Sequence, residues 1–265
     1  MSKIDLSRQF ARNLWANKRR KELEATISYF FEKKPIELVG EIATDRLSWQ
    51  LQLRLKEQPP LDDWGFMFSE VVHHLRASLD NAVFAIAVGL KSLTEKEKRD
   101  LTFPIVEDKG NWPLAQKRIS CLPSEYVSAI ELLQPFNHPN RNDKNTIDAL
   151  SLLRDLNDLD KHRIHFTPGN KLNLDNIQNM MEFETEQDAK DDGAPEVSFY
   201  EPEFKNGHTI LNQRTKHRIQ KIRGRVEFNA SAQILLPSGE TASVSQVLIN
   251  VRQGCHIVLD HLQSI

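Results

Sequence analysis

The chain has 265 residues, 39% of them hydrophobic and 27% charged, with a formal net charge of −2, the composition of a soluble globular protein with room for one large or two ordinary cores. Its two cysteines, Cys121 and Cys255, stand far apart and give no signal for a disulfide scaffold or a paired-cysteine zinc site. The amino terminus lacks the apolar run of a signal peptide, and the longest apolar stretch, 82–90, is too short to cross a bilayer, so a cytoplasmic location with no membrane partner is expected.

Residues 5–33 carry Leu6, Phe10, Leu14, Leu23, Ile27, Phe30 and Phe31 at helical spacing, with a basic run at Lys18, Arg19, Arg20 and Lys21 that reads as a solvated face. After Pro35 the period becomes two: Trp49, Leu51, Leu53 and Leu55 alternate with polar residues, a half-buried strand paired with 36–44 as a hairpin. Pro59 and Pro60 end it, and a long helix follows over 62–90. Residues 94–100 read as a polar turn, 112–118 as a short amphipathic segment, and Pro123-Ser124-Glu125 opens a helix through Leu133.

A helix over 146–165, closed by Pro168-Gly169, leads into a strand-rich region at 172–184, 196–204, 208–215 and 222–236, with 188–195 as an exposed loop. Val244, Leu248, Val251, Cys255, Val258 and Leu262 mark a terminal helix over 243–264. The expected fold is α+β: a helical bundle with an antiparallel β-sheet formed by the N-terminal hairpin and the 172–236 strands. One compact domain over 1–265 is expected, with a helical core at 62–166 and the sheet built from 35–56 and 172–236.

Charge is distributed unevenly. Acids predominate over 182–203, whereas 214–225 holds six Lys/Arg and no acid, a pattern that suits either a polyanion-binding strand or a solvated face. Phosphate-cradling glycine loops, HExxH and GxSxG are all absent.

Two helical stretches place charge where a core face should be apolar. Arg76 falls in the middle of the stripe of Val72, Leu75, Leu79, Val83 and Ala87, with His73 and Asp80 at its edge. Asp160 falls among Ala149, Leu153, Leu156 and Ile164, with Asn157 and Arg163 beside it. Charge on an apolar stripe is costly unless paired or used.

Three arrangements follow. In a structural ion-pair network Arg76 faces Asp160 or Asp80 while Arg163 reaches Asp80, and the two helices pack side by side. In a metal site His73, Asp80, Asp160 and His162 are ligands, though Arg76 and Arg163 bring positive charge to the cation's position. In a metal-free phosphodiester site histidine moves protons and arginine stabilises the phosphorane.

The succession Leu75-Arg76-Ala77-Ser78-Leu79-Asp80-Asn81, Phe103-Pro104-Ile105, Leu133-Gln134-Pro135-Phe136 and Leu159-Asp160-Lys161-His162-Arg163 is similar to a widespread set of uncharacterised bacterial proteins. More distantly, the Arg/Asp helix and the segment from Asn157 to His162 resemble the HEPN superfamily, whose hallmark is Arg-polar-x(3–5)-His near a helix end; Leu156 stands where that motif has Arg.

The resemblance implies an RNA-acting, metal-independent endoribonuclease of a toxin–antitoxin or phage-defence system, dimeric and without a cofactor. His162 would be general base or acid, Arg163 and Arg76 the phosphorane partners, Asp160 and Asn157 orienting groups, with His73 and Asp80 close by. The alternative is a non-catalytic protein- or nucleic-acid-binding module whose Arg/Asp helices form a structural network and whose sheet and basic strand 214–225 bind the partner. RNA and a second copy of the chain are the candidate partners, and the identity of any protein partner stays open.

Overall fold

The computed structural model describes residues 4–138, 148–160, 166–171, 180–194, 196–200, 205–223, 229–236 and 239–265. In chain order its helices are α1 (Ser7–Glu32), α2 (Leu61–Leu90), α3 (Glu95–Asp100), α4 (Trp112–Gln116), α5 (Ser124–Leu132), α6 (Ala149–Asp160), α7 (Glu186–Asp191) and α8 (Val244–Ser264). Its strands are β1 (Ile36–Ile42), β2 (Ser48–Leu55), β3 (Phe166–Lys171), β4 (Met180–Phe183), β5 (Glu196–Phe199), β6 (His208–Arg214), β7 (Ile219–Arg223), β8 (Asn229–Leu235) and β9 (Thr241–Ser243). The fold is α+β, a set of helices with an antiparallel four-stranded sheet in the order β1-β2-β6-β5. The chain divides into two compact units, one formed by 1–25, 62–166 and 234–265, the other by 26–61 and 167–233.

In the helical unit, α2 begins behind Pro59 and Pro60 with Asp62 and Asp63 in its first turn, where negative charge complements the helix dipole. Its buried residues, among them Trp64, Phe68, Val72, Leu75, Leu79, Val83 and Ile86, recur every third or fourth position and form the centre of the core. The C-terminal helix α8 buries Val247, Leu248, Val251, Cys255, Val258 and Leu262 in the same way, and the Cys255 thiol donates to Leu75 O at 3.9 Å. Complete burial pushes that thiol up to about 12, so it packs as a small apolar group. Gly254 lets α6 approach α8 closely, because a Cβ there would lie 2.6 Å from the Ala149 Cβ. The neighbour established for α6 is therefore α8.

Helix α1 keeps Leu23 and Phe30 of its apolar pattern in the core and adds polar residues between them and Leu6. Leu6, Gln9, Asn13, Ala16, Arg20 and Leu23 are buried, whereas Leu14 is exposed. The polar members are tied down: Gln9 Nε2 donates to Asn81 O at 3.1 Å, Asn13 Nδ2 donates to Arg252 O at 3.4 Å, and Arg20 pairs with Glu24 and Asn17. Hydrogen bonding offsets the burial of these groups.

In the sheet unit, the β1–β2 hairpin runs in register from Ile36↔Leu55 to Ile42↔Trp49, and β2 continues onto β6 with a register shift between Leu51 and Gln52. Alternation along β2 buries Trp49, Leu51 and Leu53, which pack with Leu211, Ile219 and Ile210. The Trp49 indole N–H, buried with them, donates to Gln213 Oε1 at 3.1 Å.

Three local expectations are corrected. Residues 94–100 contain α3, capped by Thr94 and Glu97 in a reciprocal box. Part of the expected loop at 188–195 belongs to α7, where the Thr185 hydroxyl accepts from Asp188 N. Pro168-Gly169, expected to close a helix, lies inside β3.

Candidate functional site

Arg76, the charge on the core stripe of α2, turns back onto its own helix and onto the segment after α3. Its Nε and Nη2 donate to the two carboxylate oxygens of Asp80 at 3.2 and 2.9 Å, and Nη2 donates to Phe103 O at 2.6 Å. Asp80 Oδ1 in turn accepts from Phe103 N at 2.9 Å. One Arg–Asp pair thus satisfies both backbone polar groups of a residue that is itself buried.

A second tie lies close by along the same segment. Gln134, fully buried after α5, accepts from Val106 N at 2.9 Å and donates from Nε2 to Pro104 O and Ile130 O, both at 3.0 Å. The Arg76–Asp80 stretch, the Phe103-Pro104-Ile105 stretch and the Leu133-Gln134-Pro135-Phe136 stretch therefore meet in one hydrogen-bonded assembly. Its geometry holds an extended segment, which has no strand partner among the described residues, onto α2 and α5.

The other candidate residues are placed as follows. His73 is exposed on α2, its ring 5.9 Å from that of His74, and Asn157 is half-buried on α6. Among the described residues no hydrogen bond or ion pair links either to the Arg76–Asp80 pair. Asp160 ends α6 with its side chain outside the described set, and His162 and Arg163 lie outside the described residues. Among the described residues no group of three or more His, Cys, Asp or Glu is gathered as metal ligands. No helix among them is long and apolar enough to cross a membrane.

No family model matches the chain, and no curated protein or solved structure is similar to it.

The acidic and basic runs meet at several points within the sheet unit. Strand β4 pairs with β7, setting Glu182 opposite Lys221, and Arg223 Nε lies 3.0 Å from Glu182. His217 lies 3.2 Å from Asp188, and Asp192 Oδ1 accepts from Lys216 N and His217 N at 2.6 and 3.0 Å. This cross-pairing reduces the field that the basic run would present by itself.

Two features involve residues outside the charged stripes of α2 and α6. His138 Nδ1 contacts Asp148 Oδ2, and the other oxygen of Asp148 accepts from Leu150 N and Ser151 N at the start of α6. Both residues line a cavity of about 380 Å³ with Ala149, Asn250 and Gly254. The second feature is a groove of about 760 Å³ between α1 and α2, lined by Arg8, Gln9, Arg12, Asn81, Phe84 and Val88. Farther along that helix pair, Arg19 holds Glu70 through two hydrogen bonds of 3.0 and 2.7 Å. His74 lies beside them with its proton affinity lowered, first by burial and then by the Arg12 guanidinium. Arg8, Arg12 and Trp15 recur at the i, i+4, i+7 spacing of one helix face, a signal present in the sequence.

Proposed function

We propose that this chain is a non-catalytic binding module, for nucleic acid or protein, whose Arg76–Asp80 network is structural. The commitment of the Arg76 guanidinium to Asp80 and Phe103 O carries this reading. A phosphorane partner needs donors aimed at the substrate before the reaction, and Nε and Nη2 of Arg76 face the Asp80 carboxylate and the Phe103 carbonyl. The ribonuclease reading would have to rest on His162 and Arg163 without it.

Incubating the purified chain with RNA in EDTA tests the proposal. The RNA stays intact if the module only binds. Cleavage leaving 2′,3′-cyclic phosphate ends, abolished by His162→Ala without a change in melting temperature, would overturn the proposal in favour of a metal-independent ribonuclease.

A further inference from the structure

The surface that α1 and α2 form together carries exposed aromatic and cationic side chains in alternation. On α1, Arg8, Arg12, Trp15 and Arg19 fall on one stripe. On α2, Phe66 and Phe84 stand about five helical turns apart and so point to the same side. The helices run antiparallel, with Arg19 against Glu70 at one end and Gln9 against Asn81 at the other. Trp15 therefore lies between Phe66 and Phe84 along the surface. Phe66 is 74% exposed, Trp15 47%, Phe84 38% and Val88 51%, and a row of large apolar side chains left open to solvent calls for an explanation.

The basic charges of this face gather around Arg8, Arg12 and Lys18, whereas Asp62 and Asp63 are exposed one turn before Phe66. Arg8 and Arg12 have no ion-pair partner among the described residues, and Lys18 Nζ sits 5.0 Å from the Trp15 ring centroid. Of the acids near them, Glu22 and Glu70 are both held by Arg19, and Asp5, which also lines the groove, accepts from Ser7 N at 2.9 Å. Two such guanidiniums thus line a groove that Phe84 and Val88 line from α2. Gln9, only 8% exposed, lines it too, with its Oε1 unpartnered among the described residues.

We propose that this α1–α2 face binds single-stranded nucleic acid. The strand's phosphates would lie against Arg8 and Arg12 and its bases on Phe84, Trp15 and Phe66. The inference rests on the binding-module reading and names its surface and ligand. Exposed aromatic side chains beside a pair of guanidiniums are what a flexible polyanion with a flat ring on every unit requires. From Phe66 to Phe84 the face is about 27 Å long at the helical rise, enough for several nucleotides. A duplex keeps its base faces stacked inside and would leave the aromatics without partners. An acidic helical peptide needs a continuous apolar stripe, which the arginines interrupt.

The test is fluorescence anisotropy of labelled RNA and DNA strands of about twelve nucleotides, inside the ~4–16 nucleotide range of such sites. The intact chain binds. Arg8→Glu/Arg12→Glu weakens binding at least tenfold and lowers the slope of log affinity against log salt by about 1.4, at about 0.7 for each phosphate no longer neutralised. Trp49, Trp64 and Trp112 are at most 4% exposed, so quenching of indole emission by the strand reports Trp15 and disappears in Trp15→Leu. Arg218→Glu/Lys221→Glu, in the sheet unit, leaves the affinity unchanged. Arg8 and Trp15 are exposed and Arg12 is half-buried, and unchanged melting curves confirm that the variants fold.

Equal affinity for RNA and DNA, or preference for RNA, both support the assignment; the second adds recognition of the 2′-hydroxyl. Absence of binding to either strand, binding indifferent to the α1 variants, or capture of polyglutamate in place of nucleic acid would overturn it. Cleavage of RNA in EDTA would instead sink the non-catalytic reading and leave this surface standing.

Discussion

Removing Asp80 is the most direct probe of the assembly around Phe103. The carboxylate accepts two hydrogen bonds from Arg76 and one from Phe103 N, and the side chains of Arg76 and Asp80 are only 17% and 29% exposed. An exposed i,i+4 pair contributes about 0.3–0.5 kcal/mol, whereas losing one member of a buried pair costs about 3–5 kcal/mol. The observed burial lies between those limits. Asp80→Ala leaves Phe103 N without its acceptor, costing about 1.5–3 kcal/mol for a hydrogen bond to a charged group. It also leaves Arg76 with Phe103 O alone.

We expect a total near ~3 kcal/mol for Asp80→Ala and near ~2 kcal/mol for Arg76→Ala, whose loss leaves the Asp80–Phe103 bond intact. At about 2–4 °C per kcal/mol for a chain of this size, Asp80→Ala melts roughly 6–12 °C lower. The double variant should be less damaged than the sum of the singles by at least about 0.5 kcal/mol, because the residues share partners. Thermal or urea denaturation measures all three. Changes within about 0.5 kcal/mol, the range of ordinary surface substitutions, would refute the structural assignment of the pair.

Gln134→Ala orphans Val106 N and Pro104 O in a fully buried setting, and denaturation should show a loss of about 2–6 kcal/mol at roughly 1–3 per unsatisfied group; a loss below about 0.5 kcal/mol would contradict it. Gly254→Ala drives a Cβ to 2.6 Å from Ala149 Cβ, so it should destabilise by about 1–3 kcal/mol despite alanine's better helix propensity, and Ala149→Gly added to it should recover part of the loss. His74 holds its proton more weakly in the folded chain than its ordinary value of 6.5, so the unfolded chain protonates first as pH falls. Its contribution to stability is therefore intact above about 6.5 and declines below it, down through the lower folded value. Urea titrations at pH 7.5 and 5.5 should give a smaller pH dependence for His74→Gln than for the parent chain, and equal dependence in both would reject this account.

What the sequence disclosed depended on whether a side chain's partner was another side chain or the backbone. The alternation of Trp49, Leu51 and Leu53 and the stripe of Val72, Leu75, Leu79 and Val83 were legible, because burial of apolar groups depends on period alone. Helix α1 was legible in part: Leu6, Leu23 and Phe30 are buried as their spacing suggests, but so are Gln9, Asn13 and Arg20, and apolar periodicity passes over polar groups that hydrogen bonding makes fit for burial. The acidic run and the basic run were legible only separately; the β4–β7 register that sets Glu182 opposite Lys221 is a tertiary fact.

Arg76 is the most instructive residue. Its position on an apolar stripe marked it correctly as a charge that must be paired or used, and the sequence also singled out Asp80 and Phe103-Pro104-Ile105. What joined them was the N–H and C=O of Phe103, which every residue other than proline possesses and no motif records. An extended segment packed against helices has no ladder to satisfy its backbone, so charged side chains on a helix's core face can serve that segment in place of a substrate. That physical demand explains why the chain carries arginine and aspartate there without assigning them chemistry. On the face of α1 and α2, by contrast, Arg8 and Arg12 have no ion-pair partner among the described residues and remain open to a ligand.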